Sequence, residues 1–145
     1  MIERMRRKIS AAVQKVIPYT KGAFKTMVNV MPELNAKIDR NAIRIPIVTE
    51  SMVELYTVLD CDVTVEEINA AMKADANDSY VHVEDEIVSS DVIGFPAGSL
   101  FDATQTKLMD ADGGQLVKTV TWYDNEYGFV SNMVRTLEHF ANLAE

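Results

Sequence analysis

Apolar positions recur every three or four residues at the start of the chain. Ile9, Ala12, Val13 and Val16 fall on one stripe of residues 5–17, which predicts a short helix ended by Pro18. Gly22 to Met31 predicts a second short helix, closed by Pro32. The period then shortens to two. Ala42-Ile43-Arg44-Ile45 and Val53 to Leu59 predict strands, the latter with Val53, Leu55, Thr57 and Leu59 on one face. Thr64-Val65-Glu66-Glu67 has the form of a capping box, in which the Thr64 hydroxyl accepts from the Glu67 amide and the Glu67 carboxylate reaches back. The helix it opens carries Val65, Ile68, Ala71 and Met72 at helical spacing and fades near Asp75. Beyond a loop with Asn77 and Asp78, short apolar segments lie around Val81 and at Ile87-Val88. Leu100 to Met109 and Gln115 to Tyr123 read as two long strands joined by Asp110-Ala111-Asp112-Gly113-Gly114, a hairpin signal. A last helix starts near Asn125, with Val130, Met133, Val134, Leu137, Phe140, Ala141 and Ala144 as its apolar stripe.

Long strands with helices at the start, middle and end predict an α+β fold: a largely antiparallel sheet with helices packed on one face. Alternation within 101–109 and 115–123 leaves Gln105, Lys107 and Lys118 among apolar residues, so the other face reads as a semi-polar interface. No repeat, low-complexity tract or linker interrupts the 145 residues, and a single domain over 1–145 is expected.

Charge and composition narrow the classes. A net charge of -8 argues against non-specific nucleic-acid binding, because a phosphate backbone would be repelled. No apolar run approaches the ~20 residues of a membrane span, and the basic start Met1-Ile2-Glu3-Arg4-Met5-Arg6-Arg7-Lys8 has no apolar core behind it, as a signal peptide would. The single cysteine fits a reducing, cytoplasmic setting.

The candidate chemistry is sparse. Cys61 lies between Asp60 and Asp62, whose charges disfavour a thiolate, and neither His82 nor His139 has an obvious orienting partner. A structural role for all three outweighs a catalytic pair. No two of them have metal-ligand spacing, so neither a catalytic residue nor a metal site is expected. Arg44 sits in an otherwise apolar strand and must find an anion, either a local carboxylate or a phosphate on a ligand. Thr20-Lys21-Gly22-Ala23-Phe24-Lys25 offers free amides, a hydroxyl and two cations, the parts of a phosphate cradle or of a plain loop-to-helix junction. Asn125 and Glu126, in the turn Trp122-Tyr123-Asp124-Asn125-Glu126-Tyr127-Gly128, can cap the last helix, hold a polar ligand, or do both. Ser89-Ser90-Asp91 reads as an ordinary turn.

Taken in order, several segments resemble the C-terminal catalytic domain of phosphorylating glyceraldehyde-3-phosphate dehydrogenase. They are Val16-Ile17-Pro18, Gly22-Ala23-Phe24-Lys25, Met31-Pro32-Glu33-Leu34-Asn35-Ala36-Lys37-Ile38 and Arg44-Ile45-Pro46. Val88-Ser89-Ser90-Asp91, Phe101-Asp102-Ala103-Thr104 and Trp122-Tyr123-Asp124-Asn125-Glu126 complete the collinear set. The resemblance implies a subunit in which a Rossmann-type domain binds NAD while the second domain contacts substrate and builds a homotetramer. In that family a cysteine thiolate, activated by histidine, attacks the aldehyde; hydride passes to NAD, and inorganic phosphate releases 1,3-bisphosphoglycerate. By resemblance, Arg44 contacts the substrate phosphate, Gly22 and Lys21 lie at the inorganic-phosphate site, and Asn125 holds the nicotinamide carboxamide.

The departures bear on activity. The family's Ser-Cys-Thr-Thr-Asn-Cys segment and the segment of its catalytic histidine do not occur among these residues, nor do the Rossmann glycines. Lys21 stands where a threonine is usual, and Phe129 where a tyrosine is common. The chain is therefore expected to be a C-terminal fragment, inactive alone and without tight NAD binding, that partners an N-terminal Rossmann half and self-associates through its sheet face. Alternatives are an oligomeric scaffold or interaction domain, and a fragment of erythrose-4-phosphate dehydrogenase, which shares much of the pattern.

Overall fold

The chain forms two compact units, residues 1–48 and 49–145. The structure, a computed structural model, describes residues 17–19, 23–35, 37–111 and 114–143. In the first unit, β1 (Ile17–Tyr19) pairs antiparallel with β2 (Ala42–Arg44), setting Ile17 opposite Arg44. Ile17 and Pro18 are thus strand residues and not a helix end. The remainder of the helix expected over 5–17 lies outside the described residues. Helix α1 spans Ala23–Val30, and Pro32 follows as the first residue of a 3-10 turn, Pro32–Leu34, where a missing N–H costs nothing.

The second unit is an α+β fold built on a five-stranded sheet: β3 (Glu50–Val58), β4 (Tyr80–Val83), β5 (Ser99–Asp102), β6 (Lys107–Ala111) and β7 (Gly114–Asp124). The strand order is β3-β7-β5-β4, with β6 also on β7. Strand β7 is the spine. One edge pairs along its length with β3, from Glu50 opposite Asp124 to Val58 opposite Leu116. Its other edge is shared by β5 at one end and β6 at the other. All pairings are antiparallel except β4 with β5.

The long strand expected over Leu100 to Met109 is in fact two strands separated by the 3-10 turn Ala103–Gln105. Asp102 causes the break. Its carboxylate accepts from the Thr104 amide at 3.1 Å and the Thr104 hydroxyl at 2.6 Å, which substitutes a local turn for the next ladder bond. The other carboxylate oxygen accepts from the Trp122 indole N–H at 3.1 Å, so the turn is tied to β7. Ile87-Val88 forms no strand either. Val88 is exposed, and the Asp91 carboxylate accepts its amide at 2.8 Å to fix the turn Ser89–Val92.

The core gathers around β5 and the adjoining part of β7: Val92, Ala97, Leu100, Phe101, Val117 and Val120 are buried. Register places Leu100 and Val120 on one sheet face and Phe101 and Val117 on the other, so only this central strip is covered on both sides. Helix α2 (Val65–Ala74) opens with the expected capping box, in which Glu67 N–H donates to Thr64 Oγ1 at 3.1 Å and Thr64 N–H to Glu67 Oε2 at 2.9 Å. It is anchored by Asn69, which donates to Ala103 O at 3.1 Å and accepts from the Thr106 hydroxyl at 2.7 Å.

Helix α3 (Tyr127–Asn142) approaches the chain before β5 so closely that a Cβ on Gly128 would stand 2.7 Å from Ala97 O. Its apolar stripe does not face the core. Phe129, Val130, Met133, Val134, Leu137, Phe140 and Leu143 are all exposed, and Gly128 is the buried helix residue. The semi-polar reading of the sheet is visible around β3. Met52, Tyr56, Val58 and Met109 share one exposed sheet face by register, and Lys118 meets Glu54 there at 2.7 Å. Gln105 lies in the 3-10 turn instead of a strand.

Candidate functional site

The end of β7 delivers the chain into a turn held by one carboxylate. Asp124 is 3 % exposed and accepts four hydrogen bonds. Its Oδ2 takes the Thr49 hydroxyl at 3.0 Å and the Gly94 amide at 2.9 Å. Its Oδ1 takes the amides of Glu126 at 3.0 Å and Tyr127 at 2.8 Å. The last two are orphan donors at the start of α3, so Asp124 is the helix cap and brings negative charge to the positive end of the dipole. Asn125 and Glu126, expected as the capping residues, provide no side-chain cap. Burial pushes the Asp124 carboxyl upward, but the bonds from Gly94, Tyr127, Thr49 and Glu126 outweigh it and hold the group below the usual carboxylate range.

Opposite Asp124 on β3 stands Glu50, 6 % exposed. Its own amide and that of Thr49, the latter 2.9 Å from Oε2, lower its pKa against burial and the nearby Asp124 charge; the Ser89 hydroxyl adds to the lowering. Two neighbouring buried carboxylates thus both stay ionised, because each is supplied with donors. Glu50 and Gly94 have no motif signature, and sequence reasoning missed them. The positional signal was available only for Asp124, an aspartate two and three residues before the first helical amides.

This arrangement leaves Asn125 exposed on a fixed base. Its backbone N–H donates to Thr49 O at 3.0 Å, and its side-chain Nδ2 donates to Glu126 Oε1 at 3.1 Å. The carboxamide oxygen has no hydrogen bond among the described residues, so an acceptor is open to a ligand N–H. A carboxamide with its own donor engaged and its acceptor free suits another amide.

Arg44 belongs to the first unit, at the end of β2, and is exposed. No carboxylate pairs with it among the described residues, which leaves its planar donor fork available to an anion. Lys21 and Gly22 lie outside the described residues. Asn125 belongs to the second unit.

Cys61 is exposed in the loop before α2. The His82 ring stacks on Phe101 with centroids 5.7 Å apart, its side chain 5 % exposed, while His139 is exposed on α3. No hydrogen bond joins Cys61 to either imidazole among the described residues. These residues also contain no group of three or more His, Cys, Asp or Glu placed to hold a metal, and no helix long and apolar enough to cross a membrane.

A mostly antiparallel sheet whose spine strand runs into a polar turn anchored by Asp124 defines an α+β domain. The chain belongs to the family described as Glyceraldehyde 3-phosphate dehydrogenase, C-terminal domain, which matches residues 1–125. It is 57% identical over 139 residues to the glyceraldehyde-3-phosphate dehydrogenase of Clostridium pasteurianum, covering 96% of this chain and 42% of that protein. It is 53% identical over 139 residues to the enzyme of the same name from Streptococcus pyogenes serotype M1, covering 96% of this chain and 41% of the relative. The protein of Streptococcus dysgalactiae subsp. equisimilis is likewise 53% identical over 139 residues, with 96% of this chain and 41% of the relative covered. The chain therefore spans about two fifths of the length of these curated relatives.

Proposed function

We propose that these residues serve as the C-terminal, substrate-contacting and assembly-forming part of an NAD-dependent, phosphorylating glyceraldehyde-3-phosphate dehydrogenase acting in cytoplasmic glycolysis. The family match over residues 1–125, a range that includes Arg44 and Asn125, supports the reading. The reaction is the oxidation of glyceraldehyde 3-phosphate, with inorganic phosphate, to 1,3-bisphosphoglycerate.

Each residue has a physical role. The Arg44 guanidinium grips the substrate phosphate in a forked, charge-assisted contact. Gly22 lets backbone approach inorganic phosphate closely, and Lys21 contributes a point charge where the family usually places a hydroxyl. The Asn125 carboxamide, on a backbone whose N–H is held by Thr49 O, accepts a hydrogen bond from the nicotinamide carboxamide. NAD, when bound, supplies the hydride acceptor. The sulfur nucleophile and its histidine base lie outside these 145 residues, which contain no Ser-Cys-Thr-Thr-Asn-Cys segment. The exposed apolar residues of β3 and α3 are the surfaces that an N-terminal Rossmann half and further copies of the chain would cover.

Two assays test the reading. The chain mixed with NAD, glyceraldehyde 3-phosphate and phosphate forms no NADH at an enzyme-like rate; turnover by the chain alone refutes the division of labour. Adding a separately produced N-terminal half that carries the cysteine restores NADH formation and co-purifies with the chain. Failure of both association and activity in that mixture removes the proposal. Activity with erythrose 4-phosphate and none with glyceraldehyde 3-phosphate reassigns the substrate.

A further inference from the structure

Away from Asn125, one side of α3 faces the head of β4 across an open cleft of about 380 Å³, lined by Ser79, Asn132, Arg135, Thr136 and His139. The four helix positions follow the spacing of a single helical stripe, so their side chains are presented together. Every one of them is neutral or basic. No carboxylate lines the cleft, although the chain as a whole carries a net charge of -8.

Arg135 is the central cation. One terminal nitrogen donates to Pro96 O at 2.8 Å and to Asn132 Oδ1 at 2.6 Å, both uncharged acceptors. No carboxylate pairs with it among the described residues, and its Nε is buried without a hydrogen-bond partner. A partly desolvated guanidinium that meets only neutral acceptors keeps an uncompensated charge, and its other terminal nitrogen, Nη1, makes no hydrogen bond among the described residues. Further donors stand beside it. The Ser79 hydroxyl makes no hydrogen bond among the described residues, its backbone amide being satisfied by Asn77 Oδ1 at 2.8 Å. The His139 imidazole follows Arg135 by one helical turn. Thr136 already donates to Asn132 O at 2.8 Å, which leaves the guanidinium, the serine hydroxyl and the imidazole as the groups open to a ligand.

We propose that this cleft binds a small oxyanion, the phosphate or carboxylate group of a metabolite, through Arg135, Ser79 and His139. The site is separate from Asn125 and takes no part in hydride transfer.

The test is an NMR titration of the 145-residue chain with sodium phosphate and, separately, sodium acetate, each against sodium chloride at matched ionic strength. The same titrations in Arg44→Gln remove the phosphate contact proposed on the first unit. Saturable shifts of the Ser79 amide, the Arg135 side-chain Nε and the His139 ring with phosphate or acetate support the site, and whichever anion saturates identifies the class. Arg135→Gln is expected to weaken binding about tenfold, as loss of one charge-assisted hydrogen bond would. Ser79→Ala and His139→Ala each weaken it severalfold, and they decide the question if Arg135→Gln does not fold. Shifts that stay linear and equal those in chloride overturn the proposal, as does binding unchanged in Ser79→Ala and His139→Ala. None of these readouts uses turnover, so their failure would leave the dehydrogenase reading intact.

Discussion

Asp124 decides the conformation of the Asn125 turn, and its replacement by asparagine is the most direct check. Asparagine keeps the shape but sets an NH2 group against at least one of four N–H or O–H donors, leaving buried donors unpaired. A loss of about 1–3 kcal/mol in urea denaturation is expected. The same residue gives a pH prediction. Asp124 and Glu50 both have folded-state pKa values below their ordinary range, so the folded form binds fewer protons than the unfolded form in acid. Their contribution is present above the unfolded pKa values, near pH 4, and is lost as pH falls through the depressed folded values. Urea midpoints should therefore hold steady from neutrality to about pH 5 and then decline, more shallowly in Asp124→Asn. A parallel decline in the variant would exclude Asp124 from that role. At this scale the sequence was legible where two partners sit at a fixed spacing, as in Thr64 and Glu67. It misled at Asn125 and Glu126, expected as the caps, because Asp124 takes that role and is held in place by Thr49 and Gly94, far away in sequence. Arg44 and Asn125 were singled out from the strand pattern and the turn. Their proposed roles rest on resemblance, and Arg44→Gln tests one of them: in the assembled enzyme the KM for glyceraldehyde 3-phosphate should rise on the order of tenfold. An unchanged KM would remove Arg44 from the phosphate site.

Elements were readable where local periodicity and end signals agree. The hairpin of β6 and β7 and helix α2 have both, and they form close to the residues expected. The alternating run from Leu100 to Met109 misled because alternation does not reveal an aspartate whose side chain competes with the ladder; Asp102 cuts the run in two. The parallel pairing of β4 with β5 has no local signature at all, since it depends on the crossover between them. Helix α3 adds a different lesson. Its stripe was read correctly as apolar, yet the contact with its own unit is made on another side, through Gly128 and the polar positions Asn132 and Arg135. The Gly128 position makes that contact testable. A methyl group there meets the backbone oxygen of Ala97, which cannot swing aside as a side chain can. Gly128→Ala should cost about 1–3 kcal/mol by displacing the helix start, despite the better helix propensity of alanine. Denaturant midpoints equal to or above those of the parent would place the helix farther from Ala97.

For the molecule as a whole, the second unit protects a narrow core and leaves much apolar surface in water. Strand β3 is at the sheet edge, with Met52, Val53, Leu55, Tyr56 and Val58 each about half exposed or more. Such an edge with exposed apolar faces is an association surface unless something covers it. The charges on it fit coverage by a specific partner. Lys107 and Lys118 lie directly opposite each other across the strands, an unfavourable like-charge placement, and Glu54 relieves it by bonding Lys118 at 2.7 Å. That hydrogen bond lowers the Glu54 pKa and raises that of Lys118, so the pair is ionised at neutral pH. A partly exposed pair of this kind adds little to folding, but placed amid apolar residues it would set the register of an incoming surface. The expected outcome is concentration-dependent self-association of the isolated chain in light scattering. Met52→Glu should shift it toward monomer without altering the circular dichroism spectrum, because Met52 is half exposed and its change disturbs no core contact. A chain that stays monomeric at every concentration, or a Met52→Glu variant that associates like the parent, would leave the β3 face without the homo-oligomeric role proposed for it.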